Sequence, residues 1–299
     1  MILVTGAGGF IGRHVVGRLL NQGRLVRAMV HSSNPFETTA NLEVVHADIR
    51  DAAAVSRAAA GAQAVVHLAA AKADEADSHA VNVGGAEAII AACRSAGCRR
   101  IVNISTQSTK IARRGLYGRT KADADGRFGN SGLDVTTLLL SIVYSEDLQG
   151  IFGTLFRIVE RSPIIPVFGD GTWVSAPLDA DDVAAAVAAC LDTETTIGRT
   201  YDLGGPDFVT FDELLRVIGR SVGRMPRLVH VPFTVSLLLA QVGAAILPRP
   251  PITVSNVLGS NQPIVVDSDA PRKDFGFAPI RLEAGIARAA RRWTEMHIA

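Results

Sequence analysis

The sequence predicts an α/β fold with a doubly wound parallel sheet and a smaller, partly interleaved C-terminal α/β portion. Residues 1–145 alternate short β-rich runs with alanine-rich helical stretches, as parallel strands joined by crossover helices do. Beyond them this alternation is lost, and prolines cluster at Pro163, Pro166 and Pro177. We therefore expect one domain over residues 1–145 and a second portion, mainly over 146–299, with some segments returning to the sheet.

The predicted strands of the first domain are mostly continuous apolar runs, as expected where helices cover both faces of a sheet. They are Ile2–Thr5, Leu25–Val30, Leu42–Ala47, Ala64–Leu68, Arg100–Ser105 and Val135–Leu140. The predicted helices are Ile11–Gln22, Ala52–Ala60, Val81–Ser95 and Tyr117–Asn130.

Helices also dominate the predicted C-terminal portion, at Asp181–Leu191, Phe211–Val222, Phe233–Leu247 and Leu282–His297. Thr210 precedes one of them and Glu213 follows three residues later, which is the pattern of a capping box. The helix that begins at Phe233 is strongly apolar but short for a membrane span of about 20 residues. The sequence leaves open whether it is a core helix, a lid or a partner surface.

Composition narrows the class of protein. The 299 residues are 48% hydrophobic and 20% charged, with a formal net charge of +1. No global field therefore favours nucleic acid or an acidic membrane surface. The seven histidines and three cysteines show no metal-ligand spacing, so we expect no metal site. Met1 leads directly into a strand without a basic leader segment, and we expect a cytoplasmic protein without an integral membrane span.

A glycine turn joins the first predicted strand to the first helix. Gly6, Gly9 and Gly12 stand three residues apart in the stretch that also contains Phe10 and Ile11. The first glycine permits a sharp turn, the second lets the backbone approach a pyrophosphate, and the third allows close packing of helix and strand. Because a helix N-terminus attracts anions, this turn predicts a bound dinucleotide.

A tyrosine and a lysine follow about a hundred residues later. Tyr117 and Lys121 are four residues apart in a predicted helix, which places the phenol and the ammonium on one face. The positive charge favours the phenolate, so we expect the pKa of Tyr117 to be lowered. Hydride chemistry on an alcohol or a ketone needs such a proton partner.

Together these motifs resemble the extended short-chain dehydrogenases/reductases, the NAD-dependent epimerase/dehydratase family with its Rossmann fold. The segments Gly169–Trp173, Leu203–Pro206 and Thr210–Leu215 resemble the branch of the dinucleotide-binding accessory subunit of respiratory complex I. The resemblance implies a catalytic set of Thr106, Tyr117 and Lys121, in which Lys121 also holds the nicotinamide ribose. It implies cofactor contacts at Asp48, Ile49, Leu68, Ala69, Ala70 and Asn82.

The residues after the second strand favour NADP(H) over NAD(H). Proteins that bind NAD usually carry an acidic residue there for the ribose 2′-hydroxyl. This chain has His31, Ser32 and Ser33 instead. These side chains, together with Arg13, could receive a 2′-phosphate.

Departures from the family pattern bear on the substrate. Gln107 and Ser108 stand where the sugar dehydratases of the family carry acidic residues, which disfavours dehydration. The stretch Leu139–Tyr144 lacks the arginine and asparagine of many nucleotide-sugar enzymes, and Ser175 replaces a further arginine that binds a diphosphate. Since a diphosphate needs cationic or amide donors, a nucleotide sugar is disfavoured as well.

Three functions remain open at this point. The favoured one is an NAD(P)(H)-dependent oxidoreductase that acts on a carbonyl or secondary alcohol of a small, weakly charged substrate. The second is a nucleotide-sugar 4-epimerase or 4-ketoreductase, and the third is a non-catalytic NADPH-binding structural or sensor protein. The resemblance also allows a homodimer through the helix of Tyr117, where Ala122 and Ala124 are compatible with close packing.

Overall fold

The computed structural model describes residues 1–37, 39–71, 74–112, 114–246 and 266–298. The strands of the first part are β1 (Ile2–Thr5), β2 (Val26–Val30), β3 (Leu42–His46), β4 (Ala64–His67), β5 (Arg100–Thr106) and β6 (Asp134–Leu140). The helices of this part are α1 (Phe10–Asn21), α2 (Ala52–Ala59), α3 (Glu75–His79), α4 (Gly85–Ala96) and α5 (Leu116–Gly129).

The second part of the chain mixes short strands with longer helices. Its strands are β7 (Val143–Tyr144), β8 (Ile164–Phe168), β9 (Val174–Ser175), β10 (Leu178–Asp179), β11 (Thr200–Leu203), β12 (Val209–Thr210) and β13 (Arg227–Val231). Its helices are α6 (Gly150–Arg161), α7 (Ala180–Asp192), α8 (Phe211–Ser221), α9 (Phe233–Ile246), α10 (Asp269–Phe275) and α11 (Leu282–Ile298).

A seven-stranded sheet forms the centre of the molecule, in the order β11-β6-β5-β4-β1-β2-β3. Every neighbouring pair in this sheet is parallel. The chain therefore winds outward from β1 in both directions, which confirms the predicted doubly wound α/β fold. The carboxyl ends of β1 and β4 meet at this reversal point, where open α/β sheets place their ligands.

Two hydrophobic cores cover the two faces of the sheet. On one face α1 and α7 pack together over Val4, Val66 and Val102. On the other face α2, α4 and α5 cover Leu3 and Val65. Successive residues of each strand thus enter opposite cores, which explains why the strand sequences are apolar without alternation.

One predicted helix of the first domain differs from the structure. The stretch predicted as a helix over Val81–Ser95 starts earlier, with α3, and passes through a π-helical turn at Ala80–Gly84 before α4 begins. The π turn adds a residue to the helical repeat, which a search for a 3.6-residue period does not detect. This turn carries Asn82.

The second part of the chain contributes β11 to the edge of the central sheet, beside β6. Its other strands pair two by two, and a third core forms around Tyr144, Phe156, Leu214 and Trp293. The capping box predicted at Thr210 is present. The division into two portions at residue 145 stays a prediction.

The apolar helix predicted from Phe233 is α9, and Leu247 at its predicted end lies outside the described residues. Ser236 and Ala240 are buried on this helix, whereas Val235, Leu238 and Val242 are exposed. Across the described residues, no helix combines the length and the apolar character that crossing a membrane requires.

Candidate active site

The glycine turn between β1 and α1 has the geometry that its sequence predicts. Gly6 has a φ of +66°, and a Cβ there would lie 2.7 Å from the backbone nitrogen of Ala69. A Cβ at Gly12 would lie 2.3 Å from the carbonyl oxygen of Gly6. Glycine is therefore required at both positions, for backbone conformation at the first and for close packing at the second.

The N-terminus of α1 suits an anion. Gly9 is the N-cap residue, no side chain caps the helix, and its first turn contains no acidic residue. The first backbone N–H groups of a helix lack partners within the helix and carry a partial positive charge. Gly9 lines two cavities that share Gly6, Leu68 and Ala70. The donors and the shape of the turn therefore fit the pyrophosphate of a dinucleotide.

The first cavity, which we call the adenine-end cavity, has a volume of about 480 Å³. It brings together seven of the residues expected to contact the cofactor. They are His31, Ser32, Asp48, Ile49, Leu68, Ala69 and Ala70. The structure places these residues around one space although they follow three different strands.

Arg50 also lines the adenine-end cavity, although no motif of the sequence indicates it. Its guanidinium donates to Asp48 at 2.6 Å and to Asp77 at 3.1 Å. The hydrogen bonds from Arg50 hold the pKa of Asp48 at about 2, so this carboxylate stays ionised. His31 lies beside the same carboxylate, with its Nε2 atom 3.4 Å from Asp48 Oδ2.

The second cavity, which we call the reaction-end cavity, has a volume of about 590 Å³. Both Thr106, at the end of β5, and Tyr117, on α5, line it. It also includes part of the glycine turn, namely Gly6, Gly9, Phe10, Ile11 and Gly12. A cofactor lying along the turn would thus reach from the adenine-end cavity to the two hydroxyl groups.

Lys121 lies one helical turn beyond Tyr117, as its spacing predicts, and is only 2% exposed. Its Nζ atom donates to the carbonyl oxygen of Ile104 at 2.8 Å. Burial lowers the pKa of Lys121. The ammonium is therefore anchored to β5, directly behind the cavity wall.

The expected lowering of the Tyr117 pKa is wrong for this geometry. Burial of the phenol, together with the nearby carboxylate of Asp125, raises the pKa of Tyr117 to about 12. Desolvation disfavours the charged phenolate, and a neighbouring negative charge disfavours it further. The phenol is therefore a proton donor that keeps its proton over the whole neutral range.

Asp125 is a further residue of the site, and the family motifs do not include it. It lies four residues beyond Lys121 and accepts hydrogen bonds from Asn103 Nδ2 at 2.8 Å and from Ser105 Oγ at 2.6 Å. Burial raises the pKa of Asp125, whereas Lys121 and the two hydrogen bonds lower it. The i, i+4, i+8 spacing of the three residues on α5 was the signal in the sequence that could have identified it.

Two predicted cofactor residues have other partners. The guanidinium of Arg13 pairs with Asp147 at 2.9 Å and lines a separate cavity with His14 and Asp181. It does not line the adenine-end cavity, and its expected role at a 2′-phosphate stays a prediction. Each residue of an α-helix is rotated by 100° from the one before it, so Arg13 points away from Gly12 and toward α7.

Asn82 holds the cavity wall in place from behind. Its amide accepts from the backbone nitrogen of Ala71 at 2.9 Å and donates to Thr120 Oγ1 at 2.9 Å. Asn82 is buried and is absent from the linings of both cavities. It therefore connects the loop after β4 to the helix of Tyr117 and Lys121.

Fold and site together define a dinucleotide-binding protein of the Rossmann type. Residues 2–204 match the profile of the NAD dependent epimerase/dehydratase family. The chain belongs to this family, and it is an NAD(P)-dependent enzyme of the short-chain dehydrogenase/reductase class. The predicted membership in the NAD-dependent epimerase/dehydratase family is confirmed.

Three related proteins are similar to this chain over more than three quarters of its length. A 3β-hydroxysteroid dehydrogenase/Δ5→4-isomerase of Mycobacterium tuberculosis is 34% identical over 265 residues, which cover 76% of this chain and 71% of that protein. A ceramide reductase of Caulobacter vibrioides is 28% identical, covering 78% of this chain and 74% of the relative. Subunit 9 of the NADH dehydrogenase 1 alpha subcomplex of Arabidopsis thaliana is 27% identical, covering 79% and 61%. The last match supports the resemblance to the complex I branch.

Among solved structures, the UDP-glucose 4-epimerase of Thermotoga maritima superposes with a TM-score of 0.79. The match covers 99% of both chains at 21% sequence identity. At this identity the likeness establishes the fold alone.

Proposed function

We propose that this protein is an NAD(P)(H)-dependent oxidoreductase that acts on the carbonyl or secondary alcohol of a small, weakly charged substrate. One observation carries the proposal: the reaction-end cavity combines Thr106 and Tyr117 with the glycine turn, and no described residue that lines it is charged. A diphosphate needs cationic donors or backbone amides, and a neutral ketone does not.

Each polar group at the site has a separate task. When bound, a reduced nicotinamide supplies a hydride to the carbonyl carbon. The phenol of Tyr117 gives its proton to the carbonyl oxygen, which becomes the hydroxyl of the alcohol; oxidation reverses both transfers. Thr106 orients the same oxygen through its hydroxyl group. The ammonium of Lys121 donates a hydrogen bond to the carbonyl oxygen of Ile104, and from this position it supplies a positive charge near the phenol.

The nature of the cavity wall favours an apolar substrate over a nucleotide sugar. Phe10, Ile142, Val143 and Ile151 contribute apolar surface to the reaction-end cavity. Ser175, which replaces the diphosphate-binding arginine of related enzymes, is buried in β9 and does not line this cavity. The relatives that are named for steroid and ceramide substrates support the same preference.

The placement of Tyr117 also favours an enzyme over a purely structural cofactor protein. A structural role requires the dinucleotide-binding turn alone, whereas this chain directs a phenol and a hydroxyl into the adjoining cavity. Cytoplasmic location and homodimer formation stay predictions from the sequence.

The first test is the variant Tyr117→Phe. We expect kcat for ketone reduction with NADPH to fall by about 100-fold or more, because the variant lacks the proton donor. The dissociation constant for NADPH, measured by fluorescence titration, is expected to change less than threefold, or about 0.6 kcal/mol. Tyr201→Phe is the matched control, since Tyr201 bonds to Asp274 away from both cavities. Full activity of Tyr117→Phe would contradict the proposed catalytic role.

For the cofactor we propose a preference for NADP(H) over NAD(H). His31, Ser32 and Ser33 line the adenine-end cavity, and Arg50 adds a guanidinium to it. These side chains offer donors to a 2′-phosphate. Asp48 opposes the preference by its negative charge, but Arg50 already pairs with it.

The variant His31→Asp tests this preference. A carboxylate at this position would repel a 2′-phosphate, so we expect the dissociation constant of NADPH to rise by about tenfold and that of NADH to change much less. Fluorescence titration with each nucleotide measures both constants. His79→Asp, on the exposed end of α3, is the control for the change in net charge. An equal loss for both nucleotides would remove His31 from the 2′-phosphate site.

A further inference from the structure

The reaction-end cavity contains a buried amide that the proposed chemistry does not use. Gln107 begins the short 3₁₀ turn Gln107–Thr109, directly after Thr106. Its side chain lines the cavity and is only 3% exposed. Within the described part of the chain, neither its Oε1 nor its Nε2 atom has a hydrogen-bond partner.

A second unpaired group lies directly after the neighbouring strand, β6. The Oγ atom of Ser141 also lacks a partner among the described residues, although this side chain is 9% exposed and lines the same cavity. Thr106 and Leu140 are the last pair in the register of β5 and β6, so Gln107 and Ser141 directly follow the ends of two adjacent strands. Adjacent strands are about 4.8 Å apart, which is a spacing that one small polar group can bridge.

Buried polar groups without partners are rare, because each one loses its hydrogen bonds to water on folding. Two of them in one cavity, beside the hydroxyls of Thr106 and Tyr117, indicate a ligand that supplies the missing partners. The amide of Gln107 offers both a donor and an acceptor, and the hydroxyl of Ser141 does the same. The complementary ligand group is therefore one that donates and accepts together.

We propose that Gln107 and Ser141 bind a second polar group of the substrate, next to the carbonyl that is reduced. The substrate class is a ketone that carries a neutral amide or hydroxyl group on a neighbouring carbon of an apolar body. A carboxylate is disfavoured there, because no described residue that lines the cavity supplies a positive charge. This inference rests on the proposed reductase function and specifies its substrate.

Two ketones of equal chain length test the proposal. One is a 3-oxo-N-alkylamide, and the other is the alkyl ketone in which methylene groups replace the amide. We expect the wild-type protein with NADPH to favour the amide by about 10- to 100-fold in kcat/KM, since a site built for hydrogen bonds rejects the analogue without them. Gln107→Met keeps the length of the side chain and removes its polar atoms. In this variant the ratio of the two kcat/KM values is expected to fall toward one.

Gln149→Met makes the same chemical change at the exposed start of α6 and is the control; its ratio is expected to equal that of the wild type. Ser141→Ala is a second variant whose ratio is expected to fall as well, so the test does not depend on one protein that folds poorly. NADPH titration verifies that each variant retains the cofactor site.

The outcomes separate the two proposals. Reduction of both ketones with similar kcat/KM, or an equal loss on both in Gln107→Met, would overturn the role of Gln107 and leave the reductase function intact. Reduction of neither ketone by a wild-type protein that binds NADPH would overturn the reductase function and this inference with it.

Discussion

At the scale of single residues, three side chains of α5 share one electrostatic environment. Tyr117, Lys121 and Asp125 follow one another at intervals of four residues and pack against β5. Burial favours the uncharged form of the first two, and the carboxylate of Asp125 raises the pKa of both. Asp125 therefore favours the charged form of Lys121 and the protonated form of Tyr117, and we propose it as a positioning residue rather than a catalytic one.

The variant Asp125→Asn tests this role through the pH profile. Removing the negative charge is expected to lower the pKa of Tyr117 and that of Lys121, because the phenolate is then less destabilised and the ammonium is less stabilised. Reduction requires protonated Tyr117, so kcat/KM falls as pH rises through its pKa. We expect this alkaline decline to begin about one pH unit lower in Asp125→Asn than in the wild type.

Asp123→Asn is the matched control, because Asp123 lies on the same helix with its side chain exposed. Its alkaline decline is expected to coincide with that of the wild type. A wild-type profile in Asp125→Asn, or the same shift in both variants, would show that Asp125 does not act on the reacting groups.

The sequence predicts those site residues whose role depends on local spacing. Gly6 and Gly12 are recognisable because a turn and a helix contact within a few residues demand glycine. The pairing of Arg13 with Asp147 is not predictable in this way, because the two residues are 134 positions apart along the chain. Likewise Arg50 and Gln107 gain their significance from a cavity formed by distant segments, which local patterns do not encode.

At the scale of the elements, predicted helix and strand ends agree closely with the structure wherever the sequence carries a strong local signal. Helix α8 is an example, because Thr210 and Glu213 satisfy each other's backbone N–H groups across the first turn. The π turn at Ala80–Gly84 is the opposite case. Asn82 in this turn bonds to Ala71 and Thr120, and these contacts depend on the tertiary structure.

The capping box gives a prediction for α8. Thr210→Ala removes the acceptor that Glu213 N uses at 3.1 Å, so we expect a loss of about 1 kcal/mol in the free energy of unfolding. Denaturant unfolding measures this loss. Glu213→Gln is the comparison, because glutamine keeps an acceptor for Thr210 N, and its loss is expected to be smaller. NADPH affinity is expected to be unchanged in both, and equal stability of Thr210→Ala and wild type would contradict the role of the cap.

At the scale of the whole molecule, the register of the sheet creates a buried polar row on the face that α2, α4 and α5 cover. Thr5, His67, Asn103 and Thr137 are paired across β1, β4, β5 and β6. Thr5 Oγ1 lies 2.9 Å from His67 Nδ1, and Asn103 bonds to Asp125. This row connects the glycine turn to the helix of Tyr117, which is why strand register sets the geometry of the site.

His67 makes the stability of the whole fold dependent on pH. Burial, reinforced by the nearby charge of Lys121, lowers the pKa of His67 to about 3 from its usual 6.5. Between these two values the unfolded chain binds a proton that the native protein does not. The contribution of His67 to stability is therefore complete above pH 6.5 and decreases as pH falls toward 3, by up to about 1.4 kcal/mol per pH unit.

Urea unfolding of the wild type and of His67→Asn at several values between pH 8 and pH 5 measures this effect. Asparagine keeps a polar atom near Thr5 but cannot titrate, so the variant is expected to lose stability less steeply as the solution is acidified. The hydrogen bond to Asp181 raises the pKa of His14, so His14 makes the protein more stable as pH falls. Both proteins contain His14, and the effect of His67 is therefore measured by the difference between their two slopes of stability against pH. His79→Asn, on the exposed end of α3, is expected to retain the wild-type slope. Parallel curves for His67→Asn and wild type would mean that His67 titrates in the native sheet as it does in the unfolded chain, and would contradict the lowered pKa.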